Sequence, residues 1–258
     1  MDWTDQDLED LRRAKRLLEN PSFATRLANA VGVPIEKLIK MLPGDGTKLV
    51  ATAATKALEA ALKVAVRSLG AQPSPRSNAI HKVVVGGIGA IGGAFGLPAV
   101  ILELPASTTV MLRSIAEIAE SEGESLASAD ARLACLQVFA LGGPAAQDDA
   151  LESSYFAARA LMAKALEEAA EYVAKHGVTS RGAPVLVRFI TQIAARFGVP
   201  VSQKVVAQSV PVIGAAGGAA INVMFLAHFQ DLARGHFIIR RLERKHGADT
   251  VRTMYSTV

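Results

Sequence analysis

The residues Gly87 to Gly92 read Gly-Ile-Gly-Ala-Ile-Gly, behind the strand-like Val83-Val-Val85. That G-x-G-x-x-G spacing can admit a pyrophosphate to a helix N-terminus. Glu103 stands downstream, near where a ribose-binding carboxylate would be sought. The context argues against nucleotide binding, because further glycines and Pro98 interrupt the helix that should follow and no βαβ succession surrounds it. His228 and Asp231 are three residues apart on a helical pattern, with His236 beyond them. Such a set could recruit a metal, but its spacing fits no zincin pattern. The one cysteine, Cys135, lies in the apolar run 133–139, where burial is expected rather than nucleophilic chemistry. The sequence contains no G-x-S-x-G, H-E-x-x-H or P-loop motif. The expectation is no catalytic set, no metal and no cofactor.

Glycine has a second use here. Residues 83–102 form 20 positions without a charge, six of them glycine, and residues 205–227 form 23 uncharged positions. Either run could cross a hydrocarbon layer about 30 Å thick at about 1.5 Å per residue. Gly89 and Gly93, Gly92 and Gly96, and Gly214 and Gly218 are each one helical turn apart. A helix face without side chains lets another backbone approach, which matters most in lipid. In water each interior glycine costs about 1 kcal/mol relative to alanine. The two readings are a buried helical hairpin core and a pair of membrane-inserting segments. A weak self-similarity joins the runs, since Lys82-Val-Val and Lys204-Val-Val lie at the same offset as Ile91-Gly92 and Ile213-Gly214.

The elements that must position these residues read as helical almost throughout. Thr4 and Asp7 make a capping box, and Leu8, Leu11, Leu17 and Leu18 recur at helical spacing. Turn residues then divide helices expected near 21–31, 34–42, 47–69, 105–121, 128–141, 147–176, 184–197 and 212–246. In the third of these, Leu49, Ala53, Ala57, Ala60 and Val64 suggest a narrow packing face. The stretch 70–78 is rich in Pro and Ser and separates an N-terminal helical region, 1–78, from a core at 79–258. The fold class is all-α, a multi-helix domain around two glycine-rich apolar helices.

Polar residues inside the apolar runs are the remaining candidates. Glu103 closes the first run and would be buried against an arginine or near a helix start; Asn222 would cap backbone or pair across helices. His228 and His236 would be hydrogen-bonded interior or interfacial groups.

Charge is uneven. Residues 1–80 carry 12 basic and 9 acidic side chains, 81–180 carry 6 and 12, and 181–258 carry 10 and 3. This implies either complementarity within the chain or an anionic partner surface. Arg234, Arg240, Arg241, Arg244 and Lys245 follow the second apolar run directly and could meet anionic headgroups. No zinc-finger spacing, RNP-type aromatic motif or helix-turn-helix pattern supports nucleic acid as partner. The acidic, polar start lacks a secretory pattern, so the expectation is a cytoplasmic chain associated with the inner membrane. No motif sets an oligomeric state.

Glu103-Leu-Pro105, Met111-Leu-Arg-Ser-Ile-Ala116 and Gly123-Glu124 resemble the central block of the EcsC protein family. Residues 211–218, Asn222-Val-Met-Phe225, His236-Phe237 and Arg241-Leu-Glu243 are similar to its C-terminal block. The resemblance runs from about Leu11 to Tyr255. It implies a bacterial helical protein of a family named for a member encoded beside the Ecs ABC transporter. It transfers no catalytic residue. The resulting expectation is a non-enzymatic, membrane-associated protein, accessory to a transporter or binding lipid. A soluble helical scaffold and a nucleotide-binding enzyme using Gly87 to Gly92 are the alternatives.

Overall fold

Residues 3–19, 23–32, 34, 46–69, 97–142, 154–177, 183–208 and 214–258 are described by the computed structural model. Among them are nine helices and no strand, which is the all-α class read from the sequence. They are α1 (Asp5–Leu18), α2 (Phe23–Val31), α3 (Gly46–Ser68), α4 (Leu97–Ser121), α5 (Ala129–Leu141), α6 (Ser154–His176), α7 (Pro184–Gln208), α8 (Gly214–His246) and α9 (Ala248–Thr257). The joint at 70–78, all but the first residue of the expected helix at 34–42, the G-x-G-x-x-G stretch and Gly89, Gly92, Gly93 and Gly96 lie outside the described residues.

Capping sets the first helix as its residue types require. The Thr4 hydroxyl accepts the Asp7 amide at 3.2 Å, and the Asp7 carboxylate accepts the Thr4 amide at 3.1 Å. Two helices run further than their prolines suggest. α4 starts at Leu97 and passes through Pro105, and α7 passes through Gly198 and Pro200 to Gln208. An interior proline costs about 3 kcal/mol. Burial on one face, carried by Phe197 and Val201 on either side of Pro200, is worth about 1.5–3 kcal/mol per large side chain and holds α7 together. Gly247, at φ +86°, separates α9 from α8; the sequence reading had no helix there.

The packing face of α3 differs from the one expected. Its buried stripe is Val50, Ala53, Ala54, Ala57, Leu58, Ala61, Leu62 and Ala65, while Leu49 is 51% exposed. The short alanine side chains let α3 pack on α4, α7 and α5 together, which needs a wider buried arc than a single seam. One apolar core takes Phe23, Leu27 and Leu58 from before the proposed joint and Met111, Phe197 and Phe237 from after it. At its centre Phe139, Phe197, Phe225 and Phe229 stack edge-on or tilted, with Phe139 and Phe197 centroids 5.0 Å apart.

α8 is the spine, lying against α1, α4, α7, α5, α2 and α9. Gly235 is where α1 meets it: a Cβ there would stand 2.6 Å from Leu18 Cγ and 3.1 Å from the Ala14 carbonyl oxygen. Gly235→Val should therefore push α1 away and cost about 1–3 kcal/mol, read by urea denaturation and by faster proteolysis near the N-terminus. Unchanged stability would contradict this contact.

Candidate functional site

The charges that bound the two uncharged runs meet inside the protein. Glu103, just after the first run, lies on α4; Lys204, just before the second, lies on α7. Lys204 Nζ is 2.6 Å from Glu103 Oε1, with the two side chains 0% and 6% exposed. From α8 the Asn222 amide donates to the same oxygen at 3.3 Å. One turn along α7, the Gln208 amide donates to the Gly218 carbonyl at 3.2 Å. The ammonium also sits 5.1 Å from the centre of the Phe225 ring. Among the described residues, Glu103 Oε2 and Gln208 Oε1 are buried with no hydrogen-bond partner. The junction thus ties three helices together by charge-assisted bonds between buried groups.

Asn222 pairs across helices, one of the two roles expected of it. Glu103 is buried as expected, but its partner is a lysine rather than an arginine. Gly214 opens α8, and Gly218 is buried one turn later. Sequence patterning marks Lys204 only as part of a weak self-similarity and does not mark Gln208. The available signal was position: Glu103 and Lys204 are opposite charges at facing ends of two uncharged runs.

Leu102 and Glu103 face opposite ways on α4. Leu102, the last residue of the first run, is 80% exposed, whereas its neighbour Glu103 points inward to Lys204. Along α7 an 18-residue window has mean hydropathy 1.3 with 44% of it buried, so this helix is long and apolar enough to cross a membrane.

The histidines do not form a site together. His228 is buried with its ring stacked on Phe23, centroids 5.3 Å apart. Burial, reinforced by the Arg26 charge, pushes its pKa down to about 3. His236 is fully buried, with Nδ1 2.9 Å from the Tyr155 hydroxyl, which also accepts from Arg159. Burial, with Arg159 and Arg240 nearby, holds His236 well below the ordinary imidazole range. Asp231 is engaged instead by Arg26 at 3.4 Å and Arg234 at 3.1 Å. Among the described residues no three of His, Cys, Asp and Glu gather around a common point. Cys135 is buried, its thiol donating to the Ala131 carbonyl, and burial pushes its pKa up.

The C-terminal basic cluster is matched by carboxylates of the same chain. Arg240 pairs with Glu124 at 2.8 Å and Asp130 at 2.8 Å, and Arg244 also binds Glu124. Arg241 reaches Asp10 and Glu122, each at 2.8 Å, and Lys245 reaches Asp7 at 2.7 Å. Burial opposes the Glu124 charge, but Arg240 and Arg244 outweigh it and keep the carboxyl below its usual range. Lys245 does the same for Asp7 against burial, helped by Thr4 and His246. The uneven charge of the sequence is therefore complementarity within the chain at this end, binding α1 and the α4–α5 turn to α8.

The family model described as the EcsC protein family matches residues 5–242. The chain belongs to the EcsC protein family. That match spans α1 through the Arg240–Glu124 and Arg241–Asp10 pairs, so the Glu103–Lys204–Asn222 junction lies inside the EcsC region. No curated protein matches the chain, and no solved structure matches it.

Proposed function

We propose that this EcsC-family chain acts by association rather than catalysis, docking through the α4 face that carries Leu102 at the inner membrane from the cytoplasmic side, as a lipid-binding or transporter-accessory protein. The reading rests on the inverted polarity at residues 102 and 103, where the leucine faces out and the carboxylate faces in. Charged groups turned toward a bundle interior and apolar groups turned outward suit hydrocarbon surroundings, in which an exposed charge is costly. Burying an exposed leucine there gains about 1.5–3 kcal/mol. The wild-type chain should float with phosphatidylcholine vesicles, and Leu102→Glu should lower that binding at least about tenfold. Equal flotation of both would remove the support.

A second reading is a soluble helical interaction module whose Leu102 face meets a protein partner. It is favoured by the in-chain pairing of Arg240, Arg241, Arg244 and Lys245, which takes the densest basic cluster away from lipid. That reading expects no flotation with any vesicle.

A further inference from the structure

With the C-terminal cluster matched, positive charge without a carboxylate partner is concentrated elsewhere. Lys48, Lys56, Lys63 and Arg67 are all exposed on α3. At about 100° per residue they fall within roughly a third of the helix circumference, spread along about 28 Å. The exposed side chains that share this face are Thr52, Glu59 and Leu49, the last 51% exposed. Among the described residues none of the four cations has a carboxylate within ion-pair distance, in contrast to the paired arginines of α8. The opposite face of α3 is locked into α4, α7 and α5, so the helix is held rigidly with its cations outward.

We infer that the exposed face of α3 is a docking surface for anionic lipid headgroups. This rests on the membrane reading above and names the lipid class. A row of four cations with one acid complements a layer of phosphates, and each cation near such a surface adds attraction that salt screens. Leu49, exposed beside Lys48, supplies an apolar contact at one end of the row. α3 packs most closely on α4, the helix that carries the outward Leu102. An apolar residue on the row, and the exposed Leu102 on the neighbouring helix, favour a bilayer over nucleic acid, whose backbone offers no apolar layer.

The test compares wild type with Lys48→Gln/Lys56→Gln/Lys63→Gln/Arg67→Gln on vesicles of phosphatidylcholine alone and with 30% phosphatidylglycerol (roughly the anionic share that gives a strong surface potential). Glutamine keeps helix propensity, and circular dichroism checks the fold. The proposal expects the quadruple variant to lose about two to three orders of magnitude of partition on anionic vesicles while keeping its phosphatidylcholine binding. Arg12→Gln/Arg13→Gln/Arg16→Gln removes three exposed cations from α1, whose same face also carries the acids Asp5 and Glu9 at about 100° per residue, and should lose far less. Equal losses in the two variants, or an unchanged quadruple variant, would overturn the α3 assignment and leave the membrane reading standing. Tighter binding of wild type to a DNA duplex than to anionic vesicles would overturn it in favour of nucleic acid. Absence of binding to either vesicle would remove both readings.

Discussion

Lys204→Met should destabilise the protein by about 3–5 kcal/mol, because it leaves the Glu103 carboxylate buried with its main partner gone. Methionine matches the length of the lysine stem, so little of the loss comes from volume. Glu103→Leu should be comparably damaging, since it strands an ammonium that is fully buried. The double variant Glu103→Leu/Lys204→Met removes both charges and should recover most of the loss, because a hydrophobic pair of similar volume is often as stable as a buried ion pair. Denaturant unfolding of the four proteins gives the coupling directly. Additive losses would mean that the two groups do not depend on each other.

Acid should weaken the fold in two windows. His228 has a folded-state pKa of about 3 against an ordinary 6.5, and His236 is shifted in the same direction. The unfolded chain therefore takes up protons that the folded chain refuses as pH falls below about 6.5, and stability declines. For His228 the loss between neutral pH and pH 5 is about 2 kcal/mol, with His236 adding to it. Asp7 and Glu124 act in the opposite range. Their carboxyls are held low in the fold, so their contribution is intact above the ordinary carboxylate range and is lost as pH drops through and below about 4. That lower window loosens α1 from α8. Unfolding midpoints at pH 7, 5 and 3.5 for wild type and His228→Leu separate the windows; an identical slope from pH 7 to 5 in the two proteins would refute the role of His228.

The helical class was legible because apolar residues recur at helical spacing and Thr4 and Asp7 announce a cap. Helix ends at Pro105 and Pro200 were misread for a physical reason: local chain preference stops a helix at proline, whereas burial of Phe197, Val201 and Leu104 carries it through. The face of α3 was displaced because alanine can sit toward core or solvent, leaving little contrast for periodicity to detect. Glu103 and Asn222 stood out as polar residues in apolar runs. Lys204 did not, because a lysine at the edge of an apolar run is ordinarily read as a solvated flank, and only the three-helix meeting turns it inward. Similarly, the basic C-terminal run shows its charge in sequence but not its partners, since Asp7, Asp10, Glu122 and Glu124 are more than a hundred residues away in the chain.

The central claim is that the α4 face carrying Leu102 meets hydrocarbon. Leu102→Cys carries a new thiol on an 80% exposed site, whereas the native Cys135 is buried, so an environment-sensitive fluorophore can be placed selectively at position 102. On adding phosphatidylcholine vesicles, the account predicts a blue shift and protection from an aqueous quencher. An unshifted, fully quenched emission in the presence of saturating lipid would contradict it.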